Sequence, residues 1–456
     1  MTSILDDLRE RIQSKSRVMT FAQRFDLANS LKTTGFSKEK GVKLIELVVF
    51  VISLIFTHKN LFEFLRTAGK NSPFEKDVVY RLLNNPRSDW RQLLLRVSSN
   101  IVGFLKSLTS ERRICALVFD DSAYYRDRSK KVELLARVKD HVTNRYFKGF
   151  RKLTAGWTDG ATFVPLAFAL LSSSKAKNRL YEQGPEVPSG SPGKLRRQEA
   201  LESATDVLLS MLNEILVHVK EFQYVLFDSW FSWPNVIKGV KAHQRDVICM
   251  LKDMPTLFYT YQGKKYTLSN LYAQLNKHTD NSSYIASIVV DYYGISVRIV
   301  FVRNRNTNSK REWLALLSTD LEITEEEIIR IYGLRWDIEV YFKVCKSFLG
   351  LAKEFQGRSY DSMVAHTTIV TIRYMLLGIE TRENQDNKAH GGMFFEFCDE
   401  VANLEFREAF LLIMDLFMAT LRENLFLSKK MINKIFTDFM NKLPVNMKSR
   451  LGFASA

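Results

Sequence analysis

The sequence predicts a mixed α/β fold with helical regions on either side of it. Three observations carry that prediction. Up to about residue 110, apolar residues recur at helical spacing with few strand signals. From Ile114, short apolar runs bounded by turn residues alternate with helical stretches, the pattern of a sheet layered with helices. From about residue 360 onward the helical spacing returns.

In the first region, "LIELVVFVISLIF" (44–56) is too short to span a bilayer and contains Glu46, so it reads as a buried helix. "FEKDVVYRLLNNPRSDWRQLLLRV" (74–97) reads as two helices joined by an Asn-Asn-Pro turn. The strand region opens with "ICALVFDDS" and continues through segments at 145–157 and 162–172, joined at Thr158–Asp159–Gly160. A loop rich in Pro, Gly and Ser follows at 181–194. Then come a helix at "RQEALESATDVLLSMLNEILVHVK", a strand at "FQYVLFDSWF", a helix with Pro234 in its first turn and a strand at "DVICMLK". Residues 252–320 alternate as β-strands around Gly294. The next helix opens on a capping box, Thr324 to Glu327, with an Ile323–Ile328 staple. Five units result: helical 1–110, a core split into 111–251 and 321–375, a β-strand insertion at 252–320, and helical 376–456.

Hydrophobic residues at 46% and charged residues at 25% are ordinary for a globular protein. The net charge of +16 is not ordinary. Its 66 Lys and Arg are spread along the chain, which favours a broad surface for a polyanion, most simply nucleic acid. Basic, aromatic-interleaved segments at 144–152 and 303–311 are candidate DNA tracks. Four cysteines lie far apart without CxxC spacing, so neither a zinc site nor a disulfide framework is expected. The N-terminal residues lack the apolar core of a signal peptide. A cytoplasmic protein with no membrane partner is the expectation.

The segment "IYGLRWDIEVYFKVCKSFLG" (331–350) places Tyr332, Arg335, Glu339, Lys343 and Lys346 on one side of a helix and Ile338, Tyr341 and Cys345 on the other. Three cations thus surround one carboxylate. Ordinary i,i+4 ion pairs on a solvated face give the same pattern. Gly333 can interrupt the helix beside Tyr332.

Two apolar runs stop at an aspartate, "ALVFDDS" at Asp120 and "YVLFDSW" at Asp228. If those strands lie side by side and parallel, the two carboxylates meet at one end of the sheet. Carboxylates held that close need a cation between them, and Glu339 on a helix across that end would complete an oxygen-rich site. Such a site can hold two Mg²⁺ (or Mn²⁺) ions about 3.5–4 Å apart, one activating the attacking oxygen and one stabilising the leaving oxygen. No side-chain nucleophile motif or P-loop appears. Asp121 competes with Asp120; on a continuing strand they face opposite ways, and Asp120 is preferred because it directly follows the apolar run.

The spacing Tyr332-(2)-Arg335-(3)-Glu339-(6)-Lys346 resembles the Y-R-E-K signature of cut-and-paste DDE transposases of bacterial insertion sequences, the insertion-sequence-four group. The resemblance extends to Asp120-Asp121-Ser122 and to Phe227-Asp228-Ser229-Trp230, and it covers roughly residues 110–375. It implies a ribonuclease-H-like mixed sheet with a β-rich insertion, catalytic and metal-binding Asp120, Asp228 and Glu339, and DNA contacts from Tyr332, Arg335, Lys343 and Lys346. It also implies that Trp313 and Trp336 receive a flipped base, although either could be a core aromatic. The implied substrates are terminal inverted repeats and target DNA, cut and joined by a homodimer, often through a hairpin. The flanking helical regions would bind DNA ends and make subunit contacts. A domesticated, non-cutting DNA-binding protein and an unrelated metal-dependent nuclease are the alternatives.

Overall fold

The computed structural model describes residues 16–453 apart from 69–73, 111–112, 141–144, 183, 278–282, 306–310, 355–356, 384–389 and 426–428. The basic run at 303–311 therefore lies largely outside the described residues.

Among the described residues six α-helices come first: α1 (Arg17–Arg24), α2 (Leu27–Thr33), α3 (Leu44–Ser53), α4 (Leu61–Ala68), α5 (Lys76–Leu83) and α6 (Trp90–Leu108). The Asp89 carboxylate starts α6 by accepting the Gln92 amide hydrogen bond at 3.0 Å. The apolar face of α6 is buried from Trp90 to Leu105, and Ser98 bonds to the Pro165 carbonyl of the sheet beneath. The apolar residues of these helices belong to the same continuous core as those of the sheet.

The sheet begins with β1 (Ala116–Tyr125), β2 (Leu135–Lys139), β3 (Tyr146–Thr158), β4 (Phe163–Leu171) and β5 (Arg179–Tyr181). β1, β3 and β4 form an antiparallel meander. After α7 (Pro192–Glu199) and α8 (Ala204–His218), β6 (Tyr224–Phe227) pairs parallel to β1; after α9 (Pro234–Ala242), β7 (Asp246–Met250) pairs parallel to β6. The order β4-β3-β1-β6-β7, an antiparallel meander continued by two parallel strands, is a ribonuclease-H-like sheet. The sheet does not stop there. β12 (Trp313–Ser318) pairs antiparallel with β7 and leads outward through β11 (Ser296–Arg303) and β10 (Ala286–Asp291) to β8 (Tyr259–Tyr261) and β9 (Lys264–Tyr266), giving twelve strands among the described residues.

Four local expectations change. The stretch 197–220 is two helices, because Ser203 caps a new one at Ala204. The segment 252–320 contains a short helix, α10 (Leu268–Ala273), between its strands. Residues 325–347 form two helices, α11 (Glu325–Gly333) and α12 (Trp336–Ser347), so the interruption comes just after Gly333, at Leu334 and Arg335; the Thr324–Glu327 capping box is present. β1 also runs past Asp120 to Tyr125, so that aspartate lies within its strand.

Beyond α12, α13 (Tyr360–Glu383) is long and apolar enough to cross a membrane, but its apolar window is wholly buried, which makes it the central core helix. The helices α14 (His390–Leu425), α15 (Lys429–Lys442) and α16 (Val445–Arg450) complete the chain. Phe410, Met414 and Met418 of α14 pack with Ile432, Phe436 and Met440 of α15 in a second, separate apolar cluster.

Candidate active site

The parallel pairing of β1 and β6 ends at Phe119 opposite Phe227. Asp120 and Asp228 are the next residues on their strands, so adjacent parallel strands deliver the two carboxylates side by side. Apolar side chains precede both, which puts each carboxylate at the rim of a dry core. Across this rim lies α12. Its first turn is tied down by the Thr158 hydroxyl of β3, which donates to the Asp337 carboxylate at 2.6 Å. Arg335, just before α12, donates to Asp120 Oδ2 at 2.5 Å and approaches Glu339 Oε1 at 3.4 Å. Asp120, Asp228, Arg335, Glu339 and Lys346 all line one cavity of about 630 Å³.

The continuing strand separates the two neighbouring aspartates. Asp120 stands opposite Thr154 in the β1–β3 ladder and faces α12. Asp121 alternates with it along the strand, and Arg151 grips it with two hydrogen bonds of 2.7 and 2.9 Å, although both of these residues also line the cavity. Asp121 is thus committed to an ion pair on β3, while Asp120 shares its guanidinium with Glu339.

The remaining predicted DNA contacts do not all gather here. Tyr332, on α11, stacks loosely with Arg335, whose guanidinium lies 5.9 Å from its ring centre, and its hydroxyl is buried without a hydrogen-bond partner. Lys343 is exposed on α12 and does not line the cavity. Trp313 is 7% exposed, packed against Tyr272 and Phe301 with Arg311 over its ring; Trp336 is 66% exposed. Neither tryptophan lines the cavity. The tryptophan that does is Trp230, two residues after Asp228, flanked by Arg151 and Lys252 at 5.0 and 5.5 Å from its ring centre. Its backbone N–H donates to Asp228 at 2.9 Å, which fixes it relative to that carboxylate. Sequence reasoning passed over Trp230, Arg151 and Lys252, although Trp230 sits inside the Phe227–Trp230 motif and Arg151 inside the basic run 144–152.

Residues 46–263 match the family model for the DDE superfamily endonuclease, and residues 192–376 match the model for the transposase DDE domain. Each match spans less than half of the chain, and over these residues the chain is similar to DDE domains. The two matches overlap across β6, and between them they contain Asp120, Asp228 and Glu339. Among curated proteins none matches. Among solved structures, the chain is similar to the piggyBac transposase of a cryo-EM synaptic complex with hairpin DNA, at 10% identity and a TM-score of 0.45, covering 94% of this chain and 85% of that one.

The electrostatics of this site are those of crowded carboxylates. Burial pushes Asp120 up to about 8; Asp228, Asp121 and Glu339 add to the rise, and Arg335 opposes it. Burial also raises Asp228, against the Trp230 backbone hydrogen bond. Arg335 is held protonated above its ordinary range by Tyr332, Asp120, Glu339 and Asp228, although burial works the other way. Lys346 is lowered by burial, with Glu339 opposing. Enzymes of the DDE superfamily use divalent metal ions, and the donors here fit such ions in chemistry: hard carboxylate oxygens, with the buried Ser122 and Thr154 hydroxyls on the same strand face lacking hydrogen-bond partners. Among the described residues no three metal-ligating side chains are already drawn together, and Arg335 holds Asp120.

Proposed function

We propose that this chain is a cut-and-paste DNA transposase of the insertion-sequence-four type, with Asp120, Asp228 and Glu339 as its catalytic carboxylates. The observation that carries the reading is the register: two adjacent parallel strands end their pairing one residue before Asp120 and Asp228, and Arg335 links Asp120 to Glu339 across the rim.

Asp120, Asp228 and Glu339 would hold two divalent cations, Mg²⁺ or Mn²⁺. When bound, these supply activation of a water or 3′-hydroxyl and neutralise charge on the leaving oxygen. The chain's own groups do the rest. Arg335 exchanges its carboxylate partners for the scissile phosphodiester, which releases Asp120 for ligation. Lys346 and Lys252, which both line the cavity, clamp neighbouring phosphates, and the orphaned Tyr332 hydroxyl gains an acceptor. The substrates are terminal inverted repeats and then target DNA, with a hairpin as the route of excision. The N-terminal helices contribute DNA-end binding. Action on two ends calls for two copies, and an exposed apolar face on α14 and α15 is available to join them: Leu412, Ile413 and Leu416 with Met431 and Ile435. The grip of Arg335 on Asp120 also suits a non-cutting DNA-binding protein, and one experiment separates the two.

The test is nicking of a labelled duplex carrying the element's terminal repeat, with and without Mg²⁺. Wild type should nick only with the metal, and Glu339→Gln should lose at least about 10³-fold while still binding the duplex. Equal nicking by Glu339→Gln sinks the active-site assignment; metal-independent binding without any nicking favours the non-cutting protein.

A further inference from the structure

Lys152 is 1% exposed, and among the described residues no carboxylate answers it. It lies on β3 opposite Ser122 of β1, two residues from the Thr154 that stands opposite Asp120. Its side chain therefore leaves the sheet on the face that carries Asp120. The amine donates to the Tyr341 hydroxyl of α12 at 2.6 Å and lies 4.4 Å from the centre of that ring, with Phe342 at 5.5 Å and Phe168 at 5.8 Å. The titratable groups facing it are the buried Cys345 thiol and Lys346, both on α12.

The polarity of this contact is set by what lies behind it. The Thr371 hydroxyl of α13 donates to the Thr367 carbonyl at 2.8 Å, so in its 3.0 Å contact with Tyr341 it accepts. Tyr341 consequently donates to Thr371 and keeps a lone pair for Lys152. One buried amine thus joins the strand beside β1, the helix α12 and the core helix α13. A methionine would fill the same space without burying an amine. What Lys152 adds is a directed bond. Tyr341 is two residues after Glu339, and Phe342 lines the cavity.

We propose that Lys152 is a positioning residue for strand cleavage, setting through Tyr341 the place at which α12 holds Glu339 and Lys346 against the Asp120 strand. The role in cleavage rests on the DDE reading above; the contact itself does not. The amine donates this hydrogen bond in either protonation state, and burial, which lowers it to about 7, is the reason the site tolerates it.

Lys152→Met, Tyr341→Phe and the double variant test this in the full chain. The readouts are single-turnover nicking as a function of duplex concentration, melting temperature at pH 6, and hydrogen exchange of the α12 amides. Lys152→Met should melt at or above wild type, saturate at the wild-type duplex concentration, nick at least tenfold more slowly and exchange faster in α12. Tyr341→Phe should melt lower, because it orphans the amine, and the double variant should regain the melting temperature but not the rate. A wild-type nicking rate in Lys152→Met overturns the proposal, as does a melting temperature that falls along with the rate. If wild type itself does not nick, the DDE reading fails; faster α12 exchange in Lys152→Met would then uphold the contact alone, and unchanged exchange would remove both.

Discussion

Asp120 and Lys152 are both buried ionisable groups on one sheet face, and they meet opposite solutions. Asp120 has a guanidinium at 2.5 Å; Lys152 has only a phenol. This difference has a pH signature. Lysine titrates near 10.5 in an unfolded chain, whereas burial holds Lys152 at about 7 in the fold. Between those values the unfolded chain binds the extra proton, so stability rises with pH from about 7 to 10.5. Below pH 7 the fold carries the full penalty, which is about 5 kcal/mol at the upper limit. Lys152→Met should therefore gain stability most at pH 6 and little at pH 10, read by urea denaturation at both; a gain independent of pH would mean the amine is not the source. The polar stripe of 331–350 was legible as a set of residues sharing a helix face. Which of them would reach the cavity of the aspartates was not: Arg335 bonds to Asp120 and Lys346 lines the cavity, while Lys343 is exposed.

Helix ends decide how these residues are presented. The helical pattern of 324–348 has no gap in its apolar spacing, yet the α-helix is interrupted at Leu334 and Arg335 by hydrogen bonds to the third residue back, and from that junction Arg335 donates to Asp120. The stop after Glu199 has a comparable effect. It lets α7 lie across the base of the core, where Arg197 is bound to Glu133 at 2.6 and 2.9 Å and to Asp361 at 2.9 and 2.7 Å. These pairs lock the stretch before β2, α7 and the start of α13 together. Arg197→Ala would leave two buried carboxylates unpaired, and should cost about 3–5 kcal/mol in chemical denaturation. A loss under about 1 kcal/mol would show that the network is dispensable. No spacing rule reaches from residue 133 to 197 to 361, so this network was invisible in the sequence.

At the scale of the whole molecule, two features bear on function. If the chain binds DNA as proposed, the +16 charge should make that binding strongly salt-dependent, and Lys346→Ala should flatten the plot of log affinity against log salt by about one unit of slope. An unchanged slope would remove Lys346 from the phosphate contacts. The second feature is the cluster of α14 and α15, which has its own small core and leaves Leu416 72% exposed. If the proposed DNA-bound dimer forms through this face, Leu416→Glu combined with Ile413→Glu should turn it into a monomer in analytical ultracentrifugation, with the melting temperature of the main core unchanged. A dimer that survives both charges would place the subunit contact elsewhere.

The sequence by itself determined the alternation of strands and helices, the two aspartates that follow apolar runs, and the helical face that carries Glu339. These are local properties, written in hydrophobic period and turn chemistry. Only the tertiary structure decided that Asp120 and Asp228 are neighbours, because strand register depends on which strands pair. It alone committed Asp121 to Arg151, buried Trp313 among Tyr272 and Phe301, and brought Trp230 to the cavity instead. Those outcomes depend on contacts between residues far apart in the chain, where sequence spacing carries no information about distance.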